Sequence, residues 1–176
     1  MERSRLTHET ADWTYLKEGC GANGLRALEI DLVAPTIAYD ANRLLEQAFG
    51  SWAMVDFKTL DENNKEVLEP RVIDQDGDSV LIGNRSGGQQ TWAMKALRLA
   101  MTMVSKTKAG KDYKTAYADE DDFGLDDTTA ENYTKLYRAF MEIGQFNKVF
   151  YISHKKHCVD LADHICNLSS GEISII

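Results

Sequence analysis

The alternation of apolar and polar positions divides the chain into a helical start, an antiparallel β middle and an α/β end. Residues 1–20 are charged and weakly amphipathic, which predicts a helix with Trp13 and Leu16 as its apolar contacts, closed by Gly19, Gly21 and Gly24. Residues 25–33 (LRALEIDLV) read as a strand. Thr36 then caps a predicted helix to residue 49, with Ile37, Ala41, Leu44, Leu45 and Ala48 inward and Gly50 as its stop. Residues 52–60 alternate as a strand, Asp61, Glu62, Asn63 and Asn64 carry turn chemistry, and residues 67–73 form the return strand. A second acidic turn over 74–78 leads to a short strand at 79–82.

This β stretch delivers the chain to Arg85-Ser86-Gly87-Gly88-Gln89-Gln90 and a long helix of strong helix formers. Thr91, Lys95, Arg98, Thr102 and Ser105 fall on one polar stripe of it; apolar residues cover nearly all the rest, which predicts packing on several sides. Two glycines in a first helical turn are poor for helix stability. They make sense where a ligand must approach bare backbone, and the unpaired N–H groups and partial positive charge of a helix start suit an anion such as phosphate. Ser86 and Gln89 also have the spacing of a capping box, which would tie off the same N–H groups internally.

A polar loop at 106–112 is followed by a buried-strand pattern at 113–118, with Asp119-Glu120 at its carboxyl end. Thr128 or Thr129 caps a helix through residue 143. Residues 149–153 form the next strand, ending at His154; a short helix at 157–162 and strands at 163–168 and 172–176 complete the chain. The order helix, strand, helix, strand predicts an α/β fold with a mostly parallel sheet and helical crossovers. Such sheets bind ligands at the carboxyl ends of their strands, where Asp119, Glu120 and His154 all fall.

Composition changes this picture little. A chain of 176 residues is most simply one domain. The net charge of −8 argues against a protein that coats nucleic acid uniformly. No apolar run is long enough to span a bilayer, the amino terminus lacks a signal-peptide pattern, and three scattered cysteines suggest no disulfide framework; a cytoplasmic setting with no membrane contact is expected.

Of the candidate chemistry, the adjacent carboxylates stand out. One can hold magnesium through water and the other can orient or deprotonate an attacking water. A solvated acidic turn is the plain alternative, given Asp121, Asp122, Asp126 and Asp127. A calcium loop counted from Asp119 fails, because Phe123 holds a ligand position and Ala130 replaces the required Glu. The spacing of His154, His157, Cys158, His164 and Cys166 matches no familiar zinc pattern. Gly19 and Gly24 have phosphate-loop spacing, but Leu25 and Arg26 stand where Lys and Ser/Thr are required.

Together these motifs resemble the carboxyl-terminal lobe of an ATP-binding-cassette (ABC) ATPase, a P-loop NTPase-like fold. Ser86-Gly87-Gly88-Gln89 looks like the signature motif, residues 113–120 like the Walker B strand with its glutamate, Gly124-Leu125-Asp126 like the D-loop, and His154 like the switch histidine. Asp121-Asp122-Phe123 after the glutamate and the segment Ala41-Asn42-Arg43-Leu44-Leu45 look most like the SMC-like and SbcC-like DNA repair branch. The resemblance implies residues 1–20 as the base of a coiled coil and 21–176 as the lobe. It implies ATP and Mg2+ as cofactors, with hydrolysis at a head–head dimer interface coupled to DNA repair, recombination or chromosome maintenance. Ser86, Gly87, Gly88 and Gln89 would contact nucleotide on the opposite head, Asp119 would hold magnesium, Glu120 and His154 would act in hydrolysis, and Asp126 would lie at the dimer seam. The implied partners are an amino-terminal Walker A lobe, a second head, DNA and a nuclease subunit. Arg85 stands where the family has leucine, a cation that would lie near phosphate. No Walker A loop is present in the sequence, so the chain is expected to be inactive alone. The alternative is a non-catalytic ATPase-like scaffold.

Overall fold

The structure is a computed structural model that describes residues 2–21, 24–50, 53–63, 65–122, 129–169 and 172–175. The first helix, α1 (Glu2–Gly19), buries none of its residues. Trp13 and Leu16 are therefore not packing contacts as expected but lie 66% and 53% exposed. The turn after α1 explains the glycine spacing that mimics a phosphate loop. Gly24 sits so close to the carbonyl of Gly19 that any Cβ there would collide with it.

The strand expected at 25–33 does not form. Helix α2 runs unbroken over Leu25–Phe49, with Pro35 inside it and no cap at Thr36. The reason lies in the spacing of small residues: Ala27, Ala34, Ala38, Ala41, Leu45 and Ala48 repeat at intervals of three, four or seven and are all buried. An interior proline removes one helical hydrogen bond at a cost of about 3 kcal/mol. The buried stripe on either side of exposed Pro35 outweighs that cost.

Strands β1 (Met54–Leu60), β2 (Glu66–Ile73) and β3 (Ser79–Leu81) form the antiparallel sheet expected before the glycine pair, in the order β1-β2-β3. Val55 and Val72 are register partners, both essentially inaccessible to solvent. The side-chain amide of Asn42 on α2 takes the place of a neighbouring strand. It donates to the Val55 carbonyl at 2.9 Å and accepts the Val55 N–H at 2.7 Å. A 3-10 turn (Ile82–Asn84) then leads into α3 (Gly87–Lys108), which continues through the start of the expected polar loop.

Helix α3 is the centre of the core. Trp92, Ala93, Ala96, Leu97, Leu99, Ala100 and Met103 are buried, Trp92 edge-on to Phe49 of α2 at 4.8 Å. Helices α2 and α3 pack together, and alanines on both permit close approach. Helix α4 (Ala130–Gly144) adds Tyr133, Leu136 and Phe140 to the same core. Its last turn is closed by Lys106 of α3, which donates to the carbonyls of Gly144 and Gln145 at 2.8 and 3.0 Å.

The mostly parallel sheet is reduced in the described residues to one parallel pair, β4 (Thr115–Asp119) with β5 (Lys148–Ile152). After the short α5 (Lys156–Asp160), β6 (Cys166–Ser169) and β7 (Glu172–Ile175) form a separate antiparallel hairpin. The β4–β5 pair has two unlike faces. Ala116, Ala118, Val149 and Tyr151 pack against the core. Tyr117 and Phe150, register partners on the other face, stack at 5.4 Å and stay 80% and 52% exposed, beside an exposed Ile152.

Candidate functional site

The start of α3 is open. Ser86 takes the cap position without any side-chain cap hydrogen bond, so the capping box suggested by Ser86 and Gln89 is not made. A Cβ at Gly87 or Gly88 would meet nothing within 4 Å. Packing within this chain therefore does not require either glycine, and the first turn of the helix is made of exposed residues with no side-chain cap over its N–H groups.

Arg85, beside the tip, does not contribute a cation to it. Its guanidinium folds back over the β2–β3 turn, donating to the Val72 and Asp78 carbonyls and to Asp74 Oδ2 at 3.1–3.3 Å. The Asp74 carboxylate is held below the usual range by the N–H of Asp78 and by the Arg85 guanidinium. Arg85 thus fastens the hairpin that leads into the helix.

The second cluster forms where β4 and β5 end side by side. Asp119 pairs with Ile152 in register, and Glu120 follows in a left-handed backbone conformation, φ +47°. A non-glycine residue is held there only by its surroundings, and such positions concentrate at functional sites. The Glu120 N–H donates to the Ile152 carbonyl at 3.1 Å. His154, just beyond β5, brings its Nε2 to 2.9 Å from Glu120 Oε1. Both side chains are largely exposed, so the pair faces the space off the strand ends.

The next two acids do not form a solvated turn. Asp121 accepts from Lys95 Nζ at 3.1 Å and from the Tyr137 hydroxyl at 2.9 Å, with Arg98 at 3.8 Å. Lys95 is 5% exposed, although it lies on the polar stripe of α3. Burial raises the Tyr137 and Tyr133 phenols well above their ordinary range and keeps both neutral. Asp122 is 4% exposed and accepts from the Ser153 hydroxyl.

The structure thus brings Asp119, Glu120 and His154 to one rim and places Ser86, Gly87, Gly88 and Gln89 at a separate helix tip. Lys95 is eight residues into α3, so the tether of the acidic turn lies about 12 Å along the helix from the tip. Gly124, Leu125 and Asp126 lie outside the described residues. The anchors Lys95, Tyr137 and Ser153 were missed in the sequence, where only an unbroken acidic run beside a strand end pointed to nearby cations or hydroxyls.

No family model and no curated protein matches the sequence. Solved structures do. A chain from a study of ATP-driven dimerization and DNA-stimulated activation of SMC ATPases matches with a TM-score of 0.61 at 16% identity, over 85% of this chain and 88% of that one. The SMC head domain from Thermotoga maritima matches with a TM-score of 0.55 at 21% identity, over 85% of this chain. The Pyrococcus furiosus Smc head with an extended coiled coil, bound to the C-terminal domain of ScpA, matches with a TM-score of 0.61 at 14% identity, over 99% of this chain. The chain has the fold of an SMC-type ATPase head lobe. It spans 51% of the Thermotoga head chain and 42% of the Pyrococcus one, so it corresponds to part of such a head.

Among the described residues no group of three or more His, Cys, Asp or Glu side chains is placed to hold a metal ion by itself. Asp119 offers one exposed carboxylate at a strand end. Magnesium held by one or two carboxylates, with phosphate oxygens and water completing its shell, needs no larger cage of protein ligands. Among the described residues no helix is long and apolar enough to cross a membrane.

Proposed function

We propose that this chain is the carboxyl-terminal lobe of an ATPase head that binds and hydrolyses ATP between two heads, in DNA repair, recombination or chromosome maintenance. The observation that carries this reading is the Glu120–His154 pair at 2.9 Å, off the ends of adjacent parallel strands in an SMC-type fold. Glu120 polarises the attacking water and His154 contacts the terminal phosphate. Asp119 holds Mg2+, which neutralises phosphate charge when bound. Ser86, with the N–H groups of Gly87, Gly88 and Gln89, meets the nucleotide of the opposite head, a use that the open helix tip favours. Asp126 belongs to the seam between heads.

The missing nucleotide half comes from a phosphate-loop lobe, on this chain's continuation or another chain. The exposed Tyr117, Phe150 and Ile152 face supplies an apolar seat for it. Helix α1, with no buried residue, is the root of the coiled coil, and DNA and a nuclease subunit engage the full assembly. The test is ATP binding by this chain alone and after mixing with a phosphate-loop lobe. Little or no binding alone and tight binding in the mixture are expected; no gain on mixing overturns the reading.

A further inference from the structure

The Glu120–His154 pair does not hold itself in place. Its two side chains are 60% and 81% exposed, where water competes for each partner. Their alignment has to come from beneath. We propose that buried Asp122 and half-buried Ser153 form a clamp that positions the Glu120 and His154 turns against each other, a role that rests on the ATPase reading above.

Ser153 directly precedes His154, and Asp122 follows Glu120 by two residues. The Ser153 hydroxyl donates to Asp122 Oδ2 at 2.5 Å and accepts the Lys155 N–H at 2.9 Å. One side chain therefore shapes the turn that carries His154 and ties it to the turn that carries Glu120. The backbone supplies the second tie, from the Glu120 N–H to the Ile152 carbonyl at 3.1 Å. With both ties made, residues 120–122 and 152–153 close a ring that leaves Glu120 little freedom to leave its left-handed conformation.

Asp122 is the part that makes the clamp firm. The residue is 4% exposed, and a hydrogen bond to a buried carboxylate is short and strong. Deleting the hydroxyl leaves a buried acceptor without this donor, and the turn must open to admit water in its place. Asp121 is tied separately to Lys95 and Tyr137, so the turn is held from two sides. Loss of the Ser153 tie would loosen the Glu120 side without detaching the turn from α3 and α4.

The test reads amide hydrogen exchange on the full chain. In Ser153→Ala the Glu120 amide should exchange roughly tenfold faster or more, while amides within α4 and the β1–β2 pairing keep their protection. Ser153→Thr, which keeps the hydroxyl, should restore slow exchange. Unchanged Glu120 exchange in Ser153→Ala overturns the clamp. Should that variant unfold as a whole, Asp122→Asn, which weakens the same bond with little change of shape, is read instead by the same criterion. In the complete head, Ser153→Ala should lower kcat with the KM for ATP nearly unchanged, and Ser153→Thr should recover it. Wild-type kcat in Ser153→Ala beside an inactive Glu120→Gln overturns the positioning role alone. Wild-type turnover in Glu120→Gln itself overturns the ATPase reading and leaves the exchange result standing.

Discussion

The tip of α3 and the acidic turn after β4 are the two parts of the proposed nucleotide site, and they are built in opposite ways. The tip is bare: an uncapped Ser86, two glycines with open space around them, and an arginine turned away into the neighbouring hairpin. The turn is wired, its three successive acids engaging His154, Lys95 with Tyr137, and Ser153. The difference teaches which job each can do. A helix end is rigid already and recognises an anion with backbone N–H groups, so it needs only clearance. A carboxylate that must aim at a water has free torsions and gains its direction from neighbours.

That contrast can be broken at either end. The largest expected effect is from Glu120→Gln in the complete head, where ATP-bound dimers should persist and hydrolysis should fall by roughly 10²–10⁴-fold, the usual weight of a general base. Single-turnover ATPase measurements check it. Next, Ser86→Arg should abolish ATP-driven dimerisation, because a long side chain fills the clearance at the tip; sedimentation with and without ATP shows whether it does. Lys95→Ala removes one partner of a buried ion pair and should destabilise the lobe by about 3 kcal/mol in urea unfolding. It should leave ATP-driven dimerisation through the tip intact.

Arg85→Ala should have a smaller effect, loosening the β2–β3 turn while ATP-driven dimerisation is retained. It also has a pH signature. Asp74 titrates below its ordinary range in the folded chain, so its contribution is present at neutral pH and is lost as pH falls through the carboxylate range. In Arg85→Ala that acid-dependent loss should shrink, read as a flatter melting temperature against pH. The smallest effect on stability should come from Tyr117→Ser, on the exposed sheet face. It should leave the unfolding midpoint nearly unchanged and weaken association with a phosphate-loop lobe in titration calorimetry.

Much of this arrangement was legible in the sequence where the signal is local. The β1–β3 meander, the helix that opens at the glycine pair and the β4-α4-β5 unit are set by alternation and turn residues within each segment. Residues 25–33 misled because a run of leucine, isoleucine and valine fits a strand or a helix over so short a window; the alanine repeat that decides for helix extends to residue 48. Of the site, Glu120 and His154 were placed by strand ends. Their anchors were not, since Lys95 lies 26 positions from Asp121 and Asp122 lies 31 from Ser153, and only the folded chain brings such residues together.

Helix α2 carries a mechanical implication. Its 25 residues make a rod about 38 Å long, buried along one stripe from Ala27 to Ala48, while Leu25, Leu28 and Leu32 stand out in solvent. Near its start Glu29 pairs with Lys108 at the end of α3 at 2.8 Å, so α2 is braced against α3 towards both ends rather than hinged at one. Pro35, which lacks an N–H for the helical ladder, puts the weak point of this strut on its solvent side, where the packed stripe opposite carries the load.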